Sequence, residues 1–352
     1  MQYTKASLPI AFALVLAVAA PPPMAKAADR PSDVLGLAFV GHQVSDLERS
    51  IKFFEALDFK VAEGPGNWTV DQELNKLGNT PGAESRTATM RIQSSVSDVP
   101  FSLILRQYRG IKRQDWSGVN SWDLLSSHID LTIDGSVSNL LDKLEAANML
   151  VMPKVNGLPN NRRQEGFRRF GFVQDPDGLV IEVFGKPVPK PGDPPAPPTV
   201  SNSSATGANM DRLGKQAGFN HYAFNIIDVH KAQDFYVNVL GGDYPPIENA
   251  GGDQIMLHGW FPQATTNKNL RVELICFALN KGKTPPPVKF EDVNADYAGF
   301  QVSNVDTAYA RAKANGATTV SQGGIVNFHG GRAALIRDSD VGGYIVLWQP
   351  GR

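Results

Sequence analysis

Residues 218–226, Gly-Phe-Asn-His-Tyr-Ala-Phe-Asn-Ile, alternate as a half-buried strand does, which sends His221, Ala223 and Asn225 to one face. Asp228 then stands as an N-cap before Val229, Ala232, Phe235, Tyr236, Val239 and Leu240 at helical spacing, and Gly241-Gly242 ends the helix. A later strand, 271–275, puts Glu273 on a face with Arg271 and Ile275. The pattern predicts a β-α-β-β-β unit with a metal-type imidazole on its first strand and a carboxylate on its last.

The unit recurs, so that the chain reads as four copies. The first opens at 37–44, with Ser45 and Glu48 as a capping box for a helix bearing Ile51, Phe54 and Leu57, then strands near 86–92 and 101–108. The second opens at 127–133, continues through a helix carrying Leu140, Leu141, Leu144 and Ala147, and closes with 170–174, the turn Asp175-Pro176-Asp177-Gly178, and 179–184. The third is the unit described first. The fourth opens at 296–302, has a helix over 305–314 ended by Asn315-Gly316, and closes with 332–337, a turn at 338–340, and 344–348.

Three features lie outside the repeat. Residues 1–27 combine an early lysine, an apolar run over 8–20 and Ala25-Lys26-Ala27, the pattern of a cleaved secretory signal with a mature start near Ala28. The run is shorter than the roughly 20 residues a membrane span needs, and without a nearby cysteine a lipid anchor is not expected. Residues 187–216 are rich in proline, then in Ser, Asn, Ala and Gly, and read as a linker. The domains expected are thus 35–186, holding copies one and two, and 217–352, holding copies three and four. The expected location is periplasmic or secreted, with no stable membrane insertion after cleavage. A formal net charge of −1 gives no basic excess for nucleic acid or anionic lipid. The only cysteine, Cys276, rules out an intrachain disulfide and reads as a small buried hydrophobe.

The order of elements, the openings Val-Ser-Asp-Leu-Glu-Arg-Ser and Asn-His-Tyr-Ala-Phe-Asn, and the close Asp-Pro-Asp-Gly before Ile-Glu-Val resemble the vicinal oxygen chelate superfamily. That group includes glyoxalase I, methylmalonyl-CoA epimerase, extradiol dioxygenases and the fosfomycin- and bleomycin-resistance proteins. The resemblance covers nearly all of the mature chain and implies an α+β fold of four βαβββ modules forming two cupped sheets. In the family two units share a cup, and ligands for one divalent metal come from first and last strands.

Carried onto this sequence, those positions fall on Phe39 and Ile104 in copy one, His128 and Glu182 in copy two, His221 and Glu273 in copy three, and Tyr297 and Val346 in copy four. If neighbouring copies pair, each cup holds one His and one Glu. If the middle copies pair, as in the family's single-chain tandem glyoxalases, one cup gathers His128, Glu182, His221 and Glu273. That set suits one divalent ion, Zn, Ni, Co, Mn or Fe. The second arrangement is favoured, because matched half-sites in the two copies able to meet are otherwise a coincidence. A homodimer exchanging units assembles the same quartet, so monomer and homodimer both stay open.

Further candidates are weaker. Gln43, Thr132, Asn225 and Gln301 lie four residues beyond the first-strand positions on the same face, and Thr132 and Asn225 are candidate substrate contacts in the metal cup. Arg162, Arg163, Arg168 and Arg169 crowd one loop, with Arg169 the candidate for a substrate anion. His42 is out of phase with Phe39 and is expected on the helix side; His230, His258 and His329 have weak claims to a direct role. The chemistry implied is metal-assisted proton transfer on a small oxygen-chelating substrate, an isomerase, epimerase or lyase, with Glu182 or Glu273 as base. Export argues against glutathione as co-substrate. Two alternatives stand: an extradiol-type ring-cleaving dioxygenase, and a non-catalytic binding protein of the bleomycin-resistance type that sequesters a planar molecule between Phe39 and Tyr297 in the outer cup.

Overall fold

The computed structural model describes residues 31–124, 126–155, 158–159, 170–186, 216–245, 247, 254–261, 270–280, 282–338 and 343–351. Residues 1–30, where a signal is expected, nearly all of the expected linker at 187–216, and the Arg162–Arg169 cluster lie outside the described residues. Copy one comprises β1 (Val34–Val44), α1 (Leu47–Ala56), β2 (Lys60–Glu63), α2 (Gln72–Gly78), β3 (Glu84–Ile92) and β4 (Phe101–Arg109). Copy two comprises β5 (Ser127–Asp134), α3 (Val137–Ala146), the short β6 (Lys154–Val155) and β7 (Leu158–Pro159), β8 (Phe170–Gln174) and β9 (Val180–Lys186). Copy three has β10 (Gly218–Ile226), α4 (Val229–Asp234) extended by a π turn (Phe235–Val239), β11 (Gln254–Gly259) and β12 (Arg271–Phe277). Copy four has β13 (Tyr297–Val302), α5 (Val305–Ala314), β14 (Thr318–Thr319), β15 (Val326–Phe328), β16 (Gly331–Arg337) and β17 (Tyr344–Gln349).

Local chemistry explains most of the boundaries. Asp228 caps α4 by accepting from the His230 and Lys231 amides, and Asn304 caps α5 through Thr307. At α1 the expected Ser45–Glu48 box does not form. Asp46 is the N-cap, accepting from the Arg49 amide. Ser45 instead donates to Asp177, and Glu48 pairs with Arg86. Those tertiary partners outcompete the local box. Helix α2, with Asp71 as its cap, is an addition to the predicted unit.

Strands β5 and β10 pair antiparallel at the centre of a six-stranded sheet ordered β11-β12-β10-β5-β9-β8. Strands β1 and β13 likewise centre the other sheet, ordered β14-β16-β17-β13-β1-β4-β3-β2 with β15 beside β16. Copies two and three therefore share one cup and copies one and four the other, so each sheet takes one copy from each half of the chain. In every copy the last strand lies parallel to the first. This register puts first-strand and last-strand side chains shoulder to shoulder on the cup face.

The opposite strand faces build one continuous core with the helices, including Ile129 and Leu131 of β5 and Tyr222 and Phe224 of β10. Phe101 of copy one and Phe219 of copy three stack across the two sheets, with ring centroids 3.6 Å apart. His42 also faces this side and is fully buried. Its Nδ1 lies 2.5 Å from Asp296 and its Nε2 3.2 Å from Asp175. Burial disfavours a charge there, but the fields and hydrogen bonds of the two aspartates outweigh it and raise its pKa well above the ordinary value. His42 is thus an imidazolium clamped between the Asp-Pro-Asp-Gly turn of copy two and the approach to β13.

The outer cup is filled by its own side chains. Phe39 and Tyr297 meet edge to face at 6.2 Å. Phe290, from the connection between copies three and four, lies 5.1 Å from Tyr297, and Leu74 and Leu77 of α2 join the same cluster. The space expected to hold a planar ligand between Phe39 and Tyr297 is a second hydrophobic core. The elements that close it, α2 and the 282–296 connection, lie outside the repeating pattern.

Candidate metal centre

The register of four strands builds the site. Across β5 and β10, His221 stands opposite Asp130 and Ala223 opposite His128. Glu182 on β9 lies beside Asp130, and Glu273 on β12 lies beside Ala223. Strand alternation turns all of these toward the cup. His128 and His221 are therefore related by a local two-fold, as are Glu182 and Glu273.

The four side chains converge. His128 Nε2 is 3.4 Å from His221 Nε2, 3.4 Å from Glu182 Oε2 and 3.4 Å from Glu273 Oε2. His221 Nε2 is 3.1 Å from Glu273 Oε2. Two sets of donor atoms lie within 4.8 Å of one another: His128, His221 and Glu273, and Asp130, Glu182 and His221. Such spacings match ligands around a single ion with bonds of about 2.0–2.2 Å. His221 Nδ1 sits 3.2 Å from Asn220 Oδ1, a contact that leaves Nε2 as the lone-pair donor into the cup. Asp130 and Glu273 are buried and Glu182 is half-buried, so negative charge is concentrated at the base of the cup. Imidazoles alone compensate it poorly, and a divalent cation fits.

The two imidazoles differ in the metal-free protein. Burial disfavours charge on His128, yet the hydrogen bonds and fields of Glu182 and Glu273 prevail and lift its pKa to about 10. For His221 burial dominates over attraction by Glu273, with repulsion from His258 and His128 added, and its pKa falls to about 4. The same three histidines, working against its burial, hold the Glu273 carboxyl well below the usual range.

Other predicted contacts divide. Thr132 Oγ1 is buried with no hydrogen-bond partner among the described residues. The Asn225 amide donates to the Ser121 and Asp123 carbonyls, both at 2.8 Å, so it pins the connection between copies one and two. That connection lays Trp122 on Phe277, with centroids 5.3 Å apart, to form an apolar patch with Ala223 and Ile275. Arg169 lies outside the described residues. His230 is exposed on α4, and His329 pairs with Asp71 at 2.8 Å, far from the cup in the fold. Two residues gain importance. Asp130 was overlooked, although it lies two positions beyond His128 on the same strand face. His258, with only a weak sequence claim, lies opposite Glu273 with Nε2 2.8 Å from Oε1.

The sequence profile of the Glyoxalase/Bleomycin resistance protein/Dioxygenase superfamily matches residues 218–340, from the start of β10 to beyond β16. The match covers copies three and four, so that the second half of the chain is similar to this superfamily in sequence. Glyoxalase I from Zea mays superposes with a TM-score of 0.52 at 16% identity, over 89% of this chain and 92% of that one. A mutant form of the Zea mays enzyme gives 0.54 at 15% identity, over 89% and 92%. At that identity the likeness shows the shared vicinal oxygen chelate fold. None of the curated proteins matches the sequence significantly. No helix among the described residues is long and apolar enough to cross a membrane.

Proposed function

We propose that this vicinal oxygen chelate protein is an exported, glyoxalase-like metalloenzyme that moves a proton beside a carbonyl of a small oxygen-chelating substrate. The observation that carries this reading is the meeting of His128, Glu182, His221 and Glu273 in one cup. The two imidazoles and one carboxylate would hold a divalent ion, which would supply Lewis acidity to the substrate carbonyl and so acidify the adjacent C–H. The second carboxylate accepts the proton at a side-chain oxygen and returns it to the neighbouring carbon. The buried base of the cup, with the Trp122–Phe277 patch beside it, limits water at the reacting carbon.

The test is solvent deuterium incorporation by the metal-loaded protein under anaerobic conditions, with α-hydroxy ketones, 2-oxoaldehyde adducts and epimerisable acids. Exchange into substrate carbon supports proton transfer, and tight binding without exchange on any substrate rejects it. A second reading has its own observation: His128, His221 and Glu273 form a two-imidazole, one-carboxylate group of the kind that serves ring-cleaving iron dioxygenases. Turnover of catechols that strictly requires O₂ selects that reading. Export is tested by the N-terminus of protein from the native envelope, expected at or near Ala28; an intact Met1 on cytoplasmic protein rejects it.

A further inference from the structure

The two-fold that relates the ligands is broken at two positions, Asp130 against Ala223 on the first strands and a second beside each carboxylate. On the strand before the last in each unit, β8 places Phe172 opposite Glu182, whereas β11 places His258 opposite Glu273. The carboxylates consequently differ in their supports. Glu273 has both oxygens engaged: Oε2 lies 3.1 Å from His221 and 3.4 Å from His128, and Oε1 lies 2.8 Å from His258. Among the described residues Glu182 has one ion-pair partner, His128 at 3.4 Å. Exposure differs in the same sense, with 3% of the Glu273 side chain accessible against 17% for Glu182.

We propose that His258 is a positioning residue that makes the carboxylates unequal, fixing Glu273 as a permanent ligand and leaving Glu182 as the base. The assignment rests on the proton-transfer reading and selects between its two candidates. His258 stands behind the ligand rather than among the ligands, since it belongs to neither set of donor atoms within 4.8 Å of one another. Its Nδ1 has no hydrogen-bond partner among the described residues, so the ring is oriented through its Nε2 contact with Glu273. A carboxylate held at both oxygens cannot rotate toward a substrate carbon without breaking a buried contact. One held by a single contact on the open side of the cup can. In the reaction the Glu182 carboxylate takes the proton from the carbon next to the carbonyl, and the C–H electron pair moves into the carbonyl system. The carboxylic acid so formed exchanges its proton with solvent and then delivers one to the former carbonyl carbon, while the hydroxyl proton of the first carbon passes to the former carbonyl oxygen, leaving Glu182 ionised again.

The experiment uses the full chain, stripped by chelator and titrated with Zn²⁺ against a chromophoric competitor. His258→Phe, which copies the Phe172 side of the site, is expected to weaken Zn²⁺ binding about 10–100-fold, as loss of a supporting contact does. His258→Gln, able to donate the same hydrogen bond, should restore most of that loss. The Co²⁺-loaded His258→Phe protein should show a shifted visible spectrum, whereas a mere fold defect would lower the melting temperature of the metal-free chain and leave the spectrum of bound Co²⁺ alone. Glu182→Gln should keep one ion per chain while deuterium exchange slows about 10²–10⁴-fold; Glu273→Gln should lose metal first. Unchanged Zn²⁺ affinity in His258→Phe overturns the anchoring role. Metal retained with exchange abolished in Glu273→Gln, and exchange preserved in Glu182→Gln, overturns the choice of base while proton transfer itself stands. If the wild-type protein exchanges no substrate proton, the proposed reaction falls and the base role of Glu182 with it, and the Zn²⁺ titrations still decide the anchoring.

Discussion

His128 Nε2 lies 3.4 Å from His221 Nε2, although β5 and β10 belong to opposite halves of the chain. Neither half completes a ligand set alone, so the number of bound ions reports the pairing of copies. Elemental analysis of the purified protein should give one ion per chain. His128→Ala or His221→Ala should bring that towards zero, by more than the roughly 10–100-fold affinity loss typical of a missing supporting contact. Two ions per wild-type chain would mean separate half-sites.

A metal ion and a proton compete for His128. With its pKa held at about 10 by Glu182 and Glu273, the metal-free site carries that proton at neutral pH. Loading metal near pH 8 should therefore release about one proton per ion, measurable by calorimetry in buffers of different ionisation enthalpy. The raised pKa also sets a stability window. Its contribution to the metal-free protein is fully present below the unfolded value of about 6.5 and is lost as pH rises through about 10. Melting curves taken across that range with excess chelator should fall, and metal-loaded protein should lack this part of the decline.

His42 makes a second, metal-independent prediction. Its raised pKa means that the clamp on Asp175 and Asp296 is fully present below about 6.5 and weakens only as pH climbs through the elevated folded value. His42→Leu should destabilise the protein by about 3–5 kcal/mol, because two buried carboxylates lose their cation. Adding Asp296→Asn should recover part of that loss, with metal stoichiometry unchanged. A denaturant titration giving equal midpoints for wild type and His42→Leu contradicts the clamp.

Much of this was legible from alternation alone. Period two put His221 on one strand face with Asn225, Glu273 on one with Ile275, and His42 out of phase with Phe39, while the resemblance to a family carried the ligand positions onto His128 and Glu182; one strand register decides every side chain at once. Helix α5 was legible for a local reason, as Asn304 caps it and Gly316 at φ +91° follows its end. What escaped depends on contacts distant in sequence. Asp46 rather than Ser45 caps α1 because Asp177, far along the chain, claims the Ser45 hydroxyl. Asp130 was hidden because copy three has Ala223 at the matching position, so comparing repeats gave no signal. The filling of the outer cup comes from α2 and Phe290, which have no counterpart in the repeat.

That filling yields the last prediction. Gly41 and Gly299 lie under the rings of the outer cup, and a Cβ on them would come 1.8 Å from Tyr297 Cζ and 2.2 Å from Phe39 Cε2 respectively. Tyr297 is not free to yield, since Phe290 packs against it and its hydroxyl accepts from Arg106 at 3.0 Å. Gly41→Ala should therefore cost about 1–3 kcal/mol through overpacking. Tyr297→Ala removes the obstruction but leaves a cavity and strips buried Arg106 of a partner, costing about 3–5 kcal/mol. In the double variant the new methyl occupies vacated space, so its cost should fall below the sum of the single changes, as expected for residues in contact. Because the cup that gathers His128, Glu182, His221 and Glu273 is formed by copies two and three, all three variants should retain the wild-type ion content after chemical denaturation and refolding with metal. Loss of metal in Gly41→Ala at a temperature where its fold is intact would show that the outer core controls the geometry of His128 and His221.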